Sequence, residues 1–519
     1  MIDILLSTLN ARYAHASLGL RYLRANLGEL RDRSAIAEFI IGQKSEDIAE
    51  QILAERPRIL GLGVYIWNVE ECTRLVALLK RLSPELIVVL GGPEVSYEQS
   101  ESPICQLADY VISGWGDVSF AELCAQLFSG EPPASKLIPG KQPPLDSLQR
   151  PYAEYSDEDV AKRYIYVEAS RGCPFKCEFC LSALDKTAWP FPLDPFLQEL
   201  GTLYQRGVRQ FKFVDRTFNL KIDTSIQILQ FFLDRLTTAP DDPVFVHFEL
   251  VPDHLPDRLR EWIVRFPPGT LQFEIGIQSL NPEVQQRISR RQKNEVAKSN
   301  LQWLRRNTQA HLHVDLIAGL PGESVEQFAQ GFDQLVALGP HEIQFGILKR
   351  LRGAPIARHS ESFDLRFNPA PPYNILSTRD IDFATMQRLS RFARYWDIIA
   401  NSGRFTATLP LLLAETPFVN FLAFSDWVFG ETGKSHAFAP ERLAKLIYRF
   451  VAEHQPQQLA YIEQALRQDY AASGARGLLS FESTPGKSAD QRKGSDSATP
   501  KRQRRHLRQP SESLSARQD

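Results

Sequence analysis

Short apolar runs alternate with amphipathic stretches along the first 130 residues. Stretches such as SEDIAEQILAERP, which begins at Ser45, place apolar residues at helical spacing and predict helices packed on one face. The apolar runs predict buried strands at 2–8, 35–41, 59–67, 86–93 and 110–116. Because strands joined through helices can be parallel, the alternation predicts an open, doubly wound, flavodoxin-like α/β sheet over residues 1–130.

A change of pattern separates a second α/β region from the first. Residues 131–160 repeat proline and contain few apolar runs, which is typical of an interdomain linker. Six βα repeats follow and predict a curved parallel sheet, an incomplete form of the eightfold barrel, over residues 161–355. The six predicted strands are 164–170, 209–215, 243–250, 270–279, 311–320 and 342–350.

The last part of the chain changes pattern twice more. Residues 356–472 are mainly helical in spacing, and Phe418, Phe421, Phe424 and Trp427 repeat as a packed core face does. We therefore predict a helical C-terminal domain. Residues 473–519 are rich in Ser, Pro, Gly, Lys and Arg and nearly lack large apolar side chains, which predicts a disordered, solvated basic tail.

Composition excludes several functional classes. A formal net charge of −2 gives no overall field for attracting nucleic acid, so we expect no nucleic-acid partner. No apolar run reaches the roughly 18 residues of a membrane span, and the N-terminus lacks the pattern of a signal peptide. Cys72, Cys105 and Cys124 stand singly among apolar residues and are expected to be buried thiols. These features predict a cytoplasmic protein with no disulfide framework and no membrane partner.

Glycine and aromatic residues follow three strands of the first predicted sheet. Open parallel sheets bind ligands at the carboxyl ends of their strands, and glycine allows a ligand to approach the backbone closely. Tight turns that need glycine are the simpler explanation for any one pair, and no GxGxxG pattern points to a dinucleotide. The candidate ligand contacts are Tyr65, Trp67, Gly91, Gly92, Pro93, Glu94, Gly114 and Gly116.

Three of the six cysteines form the pattern CxxxCxxC at Cys173, Cys177 and Cys180, just after the first predicted barrel strand. A structural zinc site needs four ligands and usually two separated pairs, and no second pair follows. A redox dithiol needs only the CxxC pair, and the following sequence does not resemble thioredoxin. Three thiolates can hold a four-iron cluster and leave one iron open for a substrate or cofactor.

The CxxxCxxC loop after the first barrel strand resembles that of the radical SAM superfamily. The first 130 residues are similar to the cobalamin-binding domain that precedes the barrel in one class of these proteins, with LGGPEVSYE and SGWGDVSF in the same order. The resemblance covers about residues 1–355. It implies a 4Fe–4S cluster on the three cysteines, S-adenosylmethionine (SAM) on the open iron with Phe179 near its adenine, cobalamin in the first domain, and an electron donor such as flavodoxin or ferredoxin.

The same resemblance implies further SAM contacts at the ends of the later barrel strands. Each polar residue among them also has a simpler role as a helix cap or as a partner of an arginine. Their occurrence at one rim of four strands favours the ligand role. The implied contacts are Asp215 and Asn219 for the methionine amino end, Glu249 for the ribose or amino group, Gln278 and Ser279 for the ribose, and Ile317 and Gly319 beside the adenine.

One departure from the family concerns the cobalt ligand. No DxHxxG segment occurs in the first 150 residues, where His15 is the only histidine, and its spacing does not fit. We therefore expect cobalamin without a histidine ligand, or a domain that binds none.

The resemblance implies cleavage of SAM to a 5′-deoxyadenosyl radical, followed by methylation of an unactivated carbon or by a cyclisation or rearrangement of an unknown substrate. Two alternatives stay open. One is an RNA-modifying, methylthiotransferase-like radical SAM enzyme without cobalamin, and the other is a non-catalytic iron–sulfur or zinc module.

Overall fold

The computed structural model describes residues 2–185, 187–473, 479, 481 and 499–507. The chain forms two compact units. The first consists of Met1–Thr217, Lys349–Arg358 and Phe367–Asn374, and the second of Phe218–Leu348, His359–Arg366 and the chain from Ile375 onward.

The first unit begins with a parallel sheet of six strands in the order β2-β1-β3-β4-β5-β6. The strands are β1 (Ile4–Asn10), β2 (Ser34–Ile40), β3 (Ile59–Gly63), β4 (Ile87–Gly91), β5 (Tyr110–Ser113) and β6 (Leu137–Pro139). The helices between them are α1 (Leu18–Ala25), α2 (Ser45–Ala54), α3 (Val69–Leu82), α4 (Pro103–Leu107) and α5 (Ser119–Ser129). One apolar cluster joins the sheet to α2, α3 and α4 and another joins it to α1 and α5, so the sheet is doubly wound, as predicted.

The segment that we interpreted as a linker contains ordered elements. Its residues 137–139 form β6, the edge strand of the sheet, and α6 (Asp157–Lys162) begins with a capping box between Ser156 and Asp159. Pro139 fits at the end of β6 because an edge strand can accept a residue without a backbone N–H. Strand β6 was therefore not predicted, because the repeated prolines around it indicated a linker.

The rest of the first unit carries the start of the second α/β region. Strands β7 (Ile165–Val167) and β10 (Gln210–Phe213) pair in parallel, with α7 (Leu193–Gln205) between them in sequence. Strands β8 (Ser170–Gly172) and β9 (Ala188–Pro190) form a short antiparallel ribbon. The cysteine pattern lies in the loop that this ribbon closes.

The second unit contains a parallel sheet in the order β14-β13-β12-β11. Its strands are β11 (Phe245–Leu250), β12 (Leu271–Gln278), β13 (His311–Ala318) and β14 (Glu342–Ile347). Helices α8 (Ile222–Thr238), α9 (Asp257–Ile263), α10 (Pro282–Arg287), α11 (Asn294–Asn307) and α12 (Val325–Leu338) alternate with the strands. All six strands predicted for the barrel are thus present across the two units, although each is shorter than its apolar run.

The C-terminal part of the second unit is helical, as predicted. Phe418, Phe421 and Phe424 are buried, and Phe421 lies 4.9 Å from Phe392, centroid to centroid, in an aromatic core. The helices are α13 (Phe383–Ile399), α14 (Thr408–Leu413), α15 (Pro417–Thr432), α16 (Pro440–His454) and α17 (Leu459–Ala472).

Part of the predicted basic tail is folded. Residues 501–506 form α18 (Lys501–His506), in which Gln503 and His506 are buried. Arg505 Nη1 donates to Ser402 O at 2.7 Å, and Thr499 Oγ1 donates to Gly269 O at 3.1 Å. The prediction of disorder is wrong for 499–507 because these polar groups find acceptors in the second unit. The other residues beyond 473, except 479 and 481, lie outside the described part of the chain.

In the part of the chain that the structure describes, no helix combines the length and apolar character needed to cross a membrane.

Candidate functional site

The loop of residues 173–187 carries the three candidate ligand cysteines and is closed by the β8–β9 ribbon. Gly172, the last residue of β8, has φ +93°, and a Cβ there would lie 2.5 Å from Thr187 O. Only glycine fits a position that combines a left-handed backbone with such close approach. The backbone conformation at Gly172 therefore fixes the direction in which the chain enters the cysteine loop at Cys173.

Hydrogen bonds within the loop fold it on itself. Lys176 Nζ donates to Ala183 O at 3.1 Å and also to Asp185 O. Cys180 N–H donates to Cys177 O at 3.0 Å. The polypeptide thus holds the loop in a defined conformation through its own polar groups.

The three thiols are half-buried and influence one another. Burial, and then the charges of Cys180 and Cys177, raise the pKa of Cys173 to about 11. The charges of Cys180 and Cys177 act on Cys173, so the three thiols share one part of the loop. Three thiolate donors on one short loop fit a four-iron cluster, which thiolates hold while one iron stays open.

The residues between the cysteines are held from one side by a later segment. Glu178 is buried, its carboxylate pairs with Arg358, and its carbonyl accepts the Ile356 N–H at 2.8 Å. Phe179, implied to lie near the adenine, is half-buried beside this anchored residue.

Asp215 follows β10 and lies behind the end of β7. Its carboxylate accepts the Ala169 N–H at 3.0 Å and the Ser170 hydroxyl at 2.6 Å. Burial raises the pKa of Asp215 to about 7. The structure places this predicted SAM contact where it also fixes the turn that leads into the cysteine loop.

Arg171, two residues before the first cysteine, was missed by sequence reasoning. Its guanidinium donates to Glu168 at 2.6 Å and to Asp117 at 3.0 Å, and it lies 4.8 Å from the ring centroid of Trp115. Asp117 follows the SGWG segment after β5. This ion pair connects the cysteine loop to a strand end of the first sheet.

The end of β3 carries Tyr65 and Trp67, whose rings stack with centroids 4.4 Å apart and planes 5° apart. Trp67 is 43% exposed. Asn68, which closes the same strand-end segment, is fully buried. Its Oδ1 accepts the Tyr65 N–H at 2.8 Å, and its Nδ2 donates to Leu9 O at 3.0 Å. A buried amide thus holds the aromatic pair at the sheet edge.

The end of β4 is a close-approach turn. Gly92 has φ +109°, and a Cβ there would lie 2.5 Å from Val64 O, whereas a Cβ on Gly91 would reach no described atom within 4 Å. Pro93 is exposed. The buried Glu94 carboxylate accepts from Tyr373 Oη at 2.6 Å and Arg352 Nε at 3.1 Å. This predicted ligand contact is therefore satisfied inside the chain.

The end of β5 is open. A Cβ on Gly114, which has φ +74°, would also reach no described atom within 4 Å, and the Gly114 N–H donates to Ser96 Oγ at 3.0 Å. Gly116 is half-buried beside Leu23. Open backbone at β4 and β5 beside the β3 aromatic pair fits a broad, flat ligand.

His15 is engaged by the chain itself. Its Nδ1 lies 2.6 Å from Tyr166 Oη, and burial lowers its pKa.

The remaining predicted SAM contacts lie in the second unit. The buried Asn219 holds the backbone of Val251, the residue after β11. Its Nδ2 donates to Val251 O at 2.9 Å, and its Oδ1 accepts the Val251 N–H at 2.8 Å. Glu249 is half-buried on β11. Gln278 ends β12 at a bulge with φ +69°, a strained backbone for a residue with a side chain.

Ser279 and Gly319 have structural partners in the second unit. Ser279 Oγ donates at 2.5 Å to the buried Glu323, which sequence reasoning missed, and burial raises the pKa of Glu323 to about 7. A Cβ on Gly319 would lie 2.7 Å from Ile375 Cγ2, so glycine is required there by packing. Ile317 is half-buried on β13.

Three family models match successive parts of the chain. A B12 binding domain matches residues 5–124, the radical SAM superfamily matches residues 167–335, and a protein family of unknown function matches residues 361–512. The radical SAM domain implies a 4Fe–4S cluster and SAM, and the B12 binding domain implies cobalamin, which confirms the predicted cofactors.

Curated relatives match parts of the chain. An uncharacterized methyltransferase of Pyrococcus horikoshii is 29% identical over 250 residues, 43% of this chain and 54% of the relative. The cobalamin-dependent radical SAM methyltransferase TokK of Streptomyces tokunonensis is 26% identical over 369 residues, 63% of this chain and 52% of the relative. The chain spans about half the length of the curated relatives it matches.

The fold is shared with a solved structure. The radical SAM methyltransferase TsrM from Kitasatospora setae, determined with cobalamin and a 4Fe–4S cluster, aligns with a TM-score of 0.58 at 15% identity, over 92% of this chain and 100% of that chain. This likeness confirms the predicted fold class of doubly wound sheet, partial barrel and helical C-terminus. The chain therefore carries a B12 binding domain ahead of a radical SAM domain, an arrangement that matches the cobalamin-binding radical SAM family.

Proposed function

We propose that the chain is a cobalamin-dependent radical SAM methyltransferase that methylates an unactivated carbon of its substrate. The observation that carries the proposal is the 3.0 Å ion pair between Arg171 and Asp117. It joins the start of the cysteine loop to the end of β5 within one compact unit. Chemistry that uses a cluster and cobalamin together needs their binding sites at a fixed separation, because catalysis depends on positioning the reacting groups.

The cysteine loop supplies the ligands for the cluster. Cys173, Cys177 and Cys180 would each give a thiolate, and because the pKa of Cys173 is about 11, binding of iron must displace its proton. When the cofactors are bound, the cluster and SAM supply a carbon-centred radical that removes a hydrogen atom, and cobalamin supplies the methyl group. The ribbon, Lys176 and the Glu178–Arg358 pair hold the three thiols in place.

The carboxyl edge of the first sheet would hold cobalamin. The stacked Tyr65 and Trp67 rings offer an apolar face, and Gly91 and Gly114 leave the backbone open to a large planar ring. Since the first 150 residues contain no DxHxxG segment, the proposal is cobalamin bound without a histidine ligand. Glu94 binds Arg352 and Tyr373, and so holds the chain at the carboxyl edge of the first sheet in place.

The SAM contacts stay proposals at individual residues. Within the first unit the proposed contacts are Asp215 and Phe179, and within the second unit they are Glu249, Gln278, Ser279 and Ile317. Asn219 and Gly319 are expected to act by shaping backbone, since their partners are Val251 and Ile375.

An RNA-modifying methylthiotransferase is less well supported. Such an enzyme needs a second cluster on further cysteines, whereas Cys72, Cys105 and Cys124 are buried. Burial raises the pKa of each, to about 12 for Cys124. These thiols also lie singly on three separate helices, α3, α4 and α5, and not together on one loop.

The direct test is anaerobic reconstitution of the full chain expressed with cobalamin. We expect about four irons per chain, corrinoid absorbance that survives gel filtration, and cleavage of SAM to 5′-deoxyadenosine under reduction. Cys180→Ala should lose the cluster and SAM cleavage, while Cys105→Ala, a buried cysteine outside the loop, should keep both. An intact cluster without SAM cleavage would instead identify a non-catalytic module.

The transferred group is tested with methyl-labelled SAM in extracts of cells that lack the gene. Label should enter a product only when the chain is added. Retained corrinoid with 5′-deoxyadenosine but no labelled product would favour a cyclisation or rearrangement. SAM cleavage without retained corrinoid would remove cobalamin from the proposal.

We also propose a cytoplasmic location and a one-electron donor of the flavodoxin or ferredoxin class. Replacing chemical reductant with purified flavodoxin and its reductase should support SAM cleavage.

A further inference from the structure

A second group of metal-binding side chains lies in the second unit, at the opposite ends of the strands from the predicted SAM contacts. His311 begins β13, Glu342 begins β14, and His506 ends α18. All three are buried, and one donor atom of each lies within 4.8 Å of the others. His311 Nε2 is 3.1 Å from Glu342 Oε1, and His506 Nε2 is 3.9 Å from the same oxygen.

These spacings suit one ion. Ligands at about 2.1 Å from a tetrahedral ion lie roughly 3.4 Å apart, which is between the two measured distances. Both imidazole rings are buried, and His506 Nε2 also lies 3.3 Å from Asn401 O, a contact that ion binding would replace. His311 Nδ1 is buried without a hydrogen-bond partner.

The surrounding groups orient the carboxylate. Arg502 Nε contacts Glu342 Oε2 at 2.9 Å, which leaves Oε1 directed at the two histidines. Ligating carboxylates are commonly held in this way by an outer hydrogen bond. His341 stacks on His311 with centroids 4.7 Å apart, but its Nδ1 accepts the Leu312 N–H at 3.0 Å and is engaged.

We propose that His311, Glu342 and His506 bind a structural divalent metal ion, with zinc as the expected ion, that fastens α18 to the start of β13 and β14. Two neutral imidazoles and one carboxylate are a ligand set that zinc accepts, with water in the fourth position. The site is distinct from the cysteine loop and does not depend on the proposed function. The rival is a metal-free cluster in which Glu342 is neutralised by Arg502 alone.

The first experiment measures zinc and iron together in the anaerobically purified full chain. We expect about one zinc per chain. His506→Ala and His311→Ala should lose zinc and keep the cluster iron, whereas Cys180→Ala should lose iron and keep zinc. His341→Asn is the matched control because its ring lies in the same cluster and is not a ligand. Zinc that is absent, or unchanged in both histidine variants, would overturn the proposal.

The second experiment replaces the ion with Co²⁺ as a spectroscopic probe. Ligation by histidine and carboxylate should give visible cobalt bands without thiolate charge-transfer absorbance, and His506→Ala should abolish them. Arg502→Gln should weaken Co²⁺ binding about 10–100-fold, as loss of an outer hydrogen bond does. Thiolate charge transfer, or bands that persist in His506→Ala, would contradict the assignment.

The third experiment needs no variant and so does not depend on variant folding. Hydrogen exchange of residues 499–507 is measured in the wild-type chain before and after chelation. Removing the ion should release α18 and speed exchange there, and zinc should restore protection. Unchanged exchange in a chain shown to have lost zinc would overturn the fastening role.

Discussion

At the scale of single residues, the cysteine loop is set by groups that immediately precede and follow it. Gly172 turns the chain into the loop, Asp215 fixes the turn before it, and Arg171 joins it to Asp117. Of these, only Asp215 was predicted as a site residue. The resemblance to radical SAM proteins assigned Asp215 to SAM binding. The structure adds that the Asp215 carboxylate accepts the backbone N–H of Ala169.

Gly172→Ala tests the glycine. The new Cβ would lie 2.5 Å from Thr187 O, so the ribbon must shift, and we expect at least a fivefold loss of cluster iron and a destabilisation of about 1–3 kcal/mol. Iron content and chemical unfolding measure both. Gly130→Ala is the control, since Gly130 also has positive φ but its Cβ would reach no described atom within 4 Å. Equal effects of the two variants would exclude the clash.

Glu323 predicts a pH dependence of stability. Its pKa is about 7 in the fold, against ~4.3 in an unfolded chain, because burial disfavours the carboxylate. Because the folded pKa lies above the unfolded one, the stabilisation from protonated Glu323 is full below about pH 4 and is lost as pH rises through 7. Glu323→Gln should therefore match the wild type at pH 4 and exceed it by about 3–4 kcal/mol at pH 8.

Chemical unfolding between pH 4 and 8 checks this prediction. Glu326→Gln, at an exposed neighbour whose pKa the Ser324 hydroxyl lowers, should leave the wild-type slope between pH 6 and 8 unchanged. A Glu323→Gln variant that is less stable at pH 8 would show that the carboxylate is stabilising there.

At the scale of elements, the outer edge of β7 is closed by side chains and a loop. The Tyr164 N–H donates to Ala14 O at 2.8 Å. Tyr155 Oη then serves both backbone groups of Tyr166, donating to O at 2.8 Å and accepting N–H at 3.1 Å. Tyr152 Oη does the same for Glu168 at 3.3 and 3.1 Å. The edge strand before the cysteine loop thus has its backbone groups satisfied without another strand.

Tyr155→Phe should cost about 1–3 kcal/mol, because it leaves a half-buried N–H and C=O of Tyr166 without their partner. The free energy of unfolding and hydrogen exchange of the Tyr166 amide measure the loss. Tyr461→Phe, at an exposed tyrosine, should be neutral. Unchanged exchange at Tyr166 would mean that water or another group replaces the hydroxyl.

The sequence predicted the strands and the cysteine pattern well for a physical reason. Buried parallel strands are continuous apolar runs, and cluster ligands are close in sequence. Contacts between distant residues have no such signal: Arg171 and Asp117 are 54 positions apart. Strand β6 was not predicted because its segment contains prolines, which an edge strand tolerates. Helix α18 was not predicted because its side chains are basic, and the groups that accept their hydrogen bonds are distant in sequence.

At the scale of the whole molecule, residues 349–358 and 367–374 follow the last strand yet belong to the first unit. Arg352 pairs with the buried Glu94 at 3.1 Å, Arg350 pairs with Glu98 at 3.0 Å, and Arg358 pairs with Glu178. One returning segment therefore contacts both the edge of the first sheet and the cysteine loop. The domain limits predicted at 130, 160, 355 and 472 stay proposals, and this segment crosses the third of them.

Arg352→Gln tests the returning segment. Removing the guanidinium leaves Glu94, only 3% exposed, as an unpaired buried carboxylate, at a cost of about 3–5 kcal/mol. We expect lower thermal stability and at least tenfold weaker corrinoid retention. Arg366→Gln is the control, since Arg366 pairs with Asp364 at the exposed surface, where such a pair contributes about 0–1 kcal/mol. A neutral Arg352→Gln would show that Tyr373 alone satisfies Glu94.

The returning segment also fixes the order in which these contacts can form during biosynthesis. Domains fold as they leave the ribosome, so the first sheet can form once residue 139 has emerged. Glu94 and Glu178 gain their arginine partners only after residue 358 has been made, and Tyr373 arrives later still. A nascent chain therefore carries its cysteines long before their support is complete, and maturation with iron belongs after translation of the barrel.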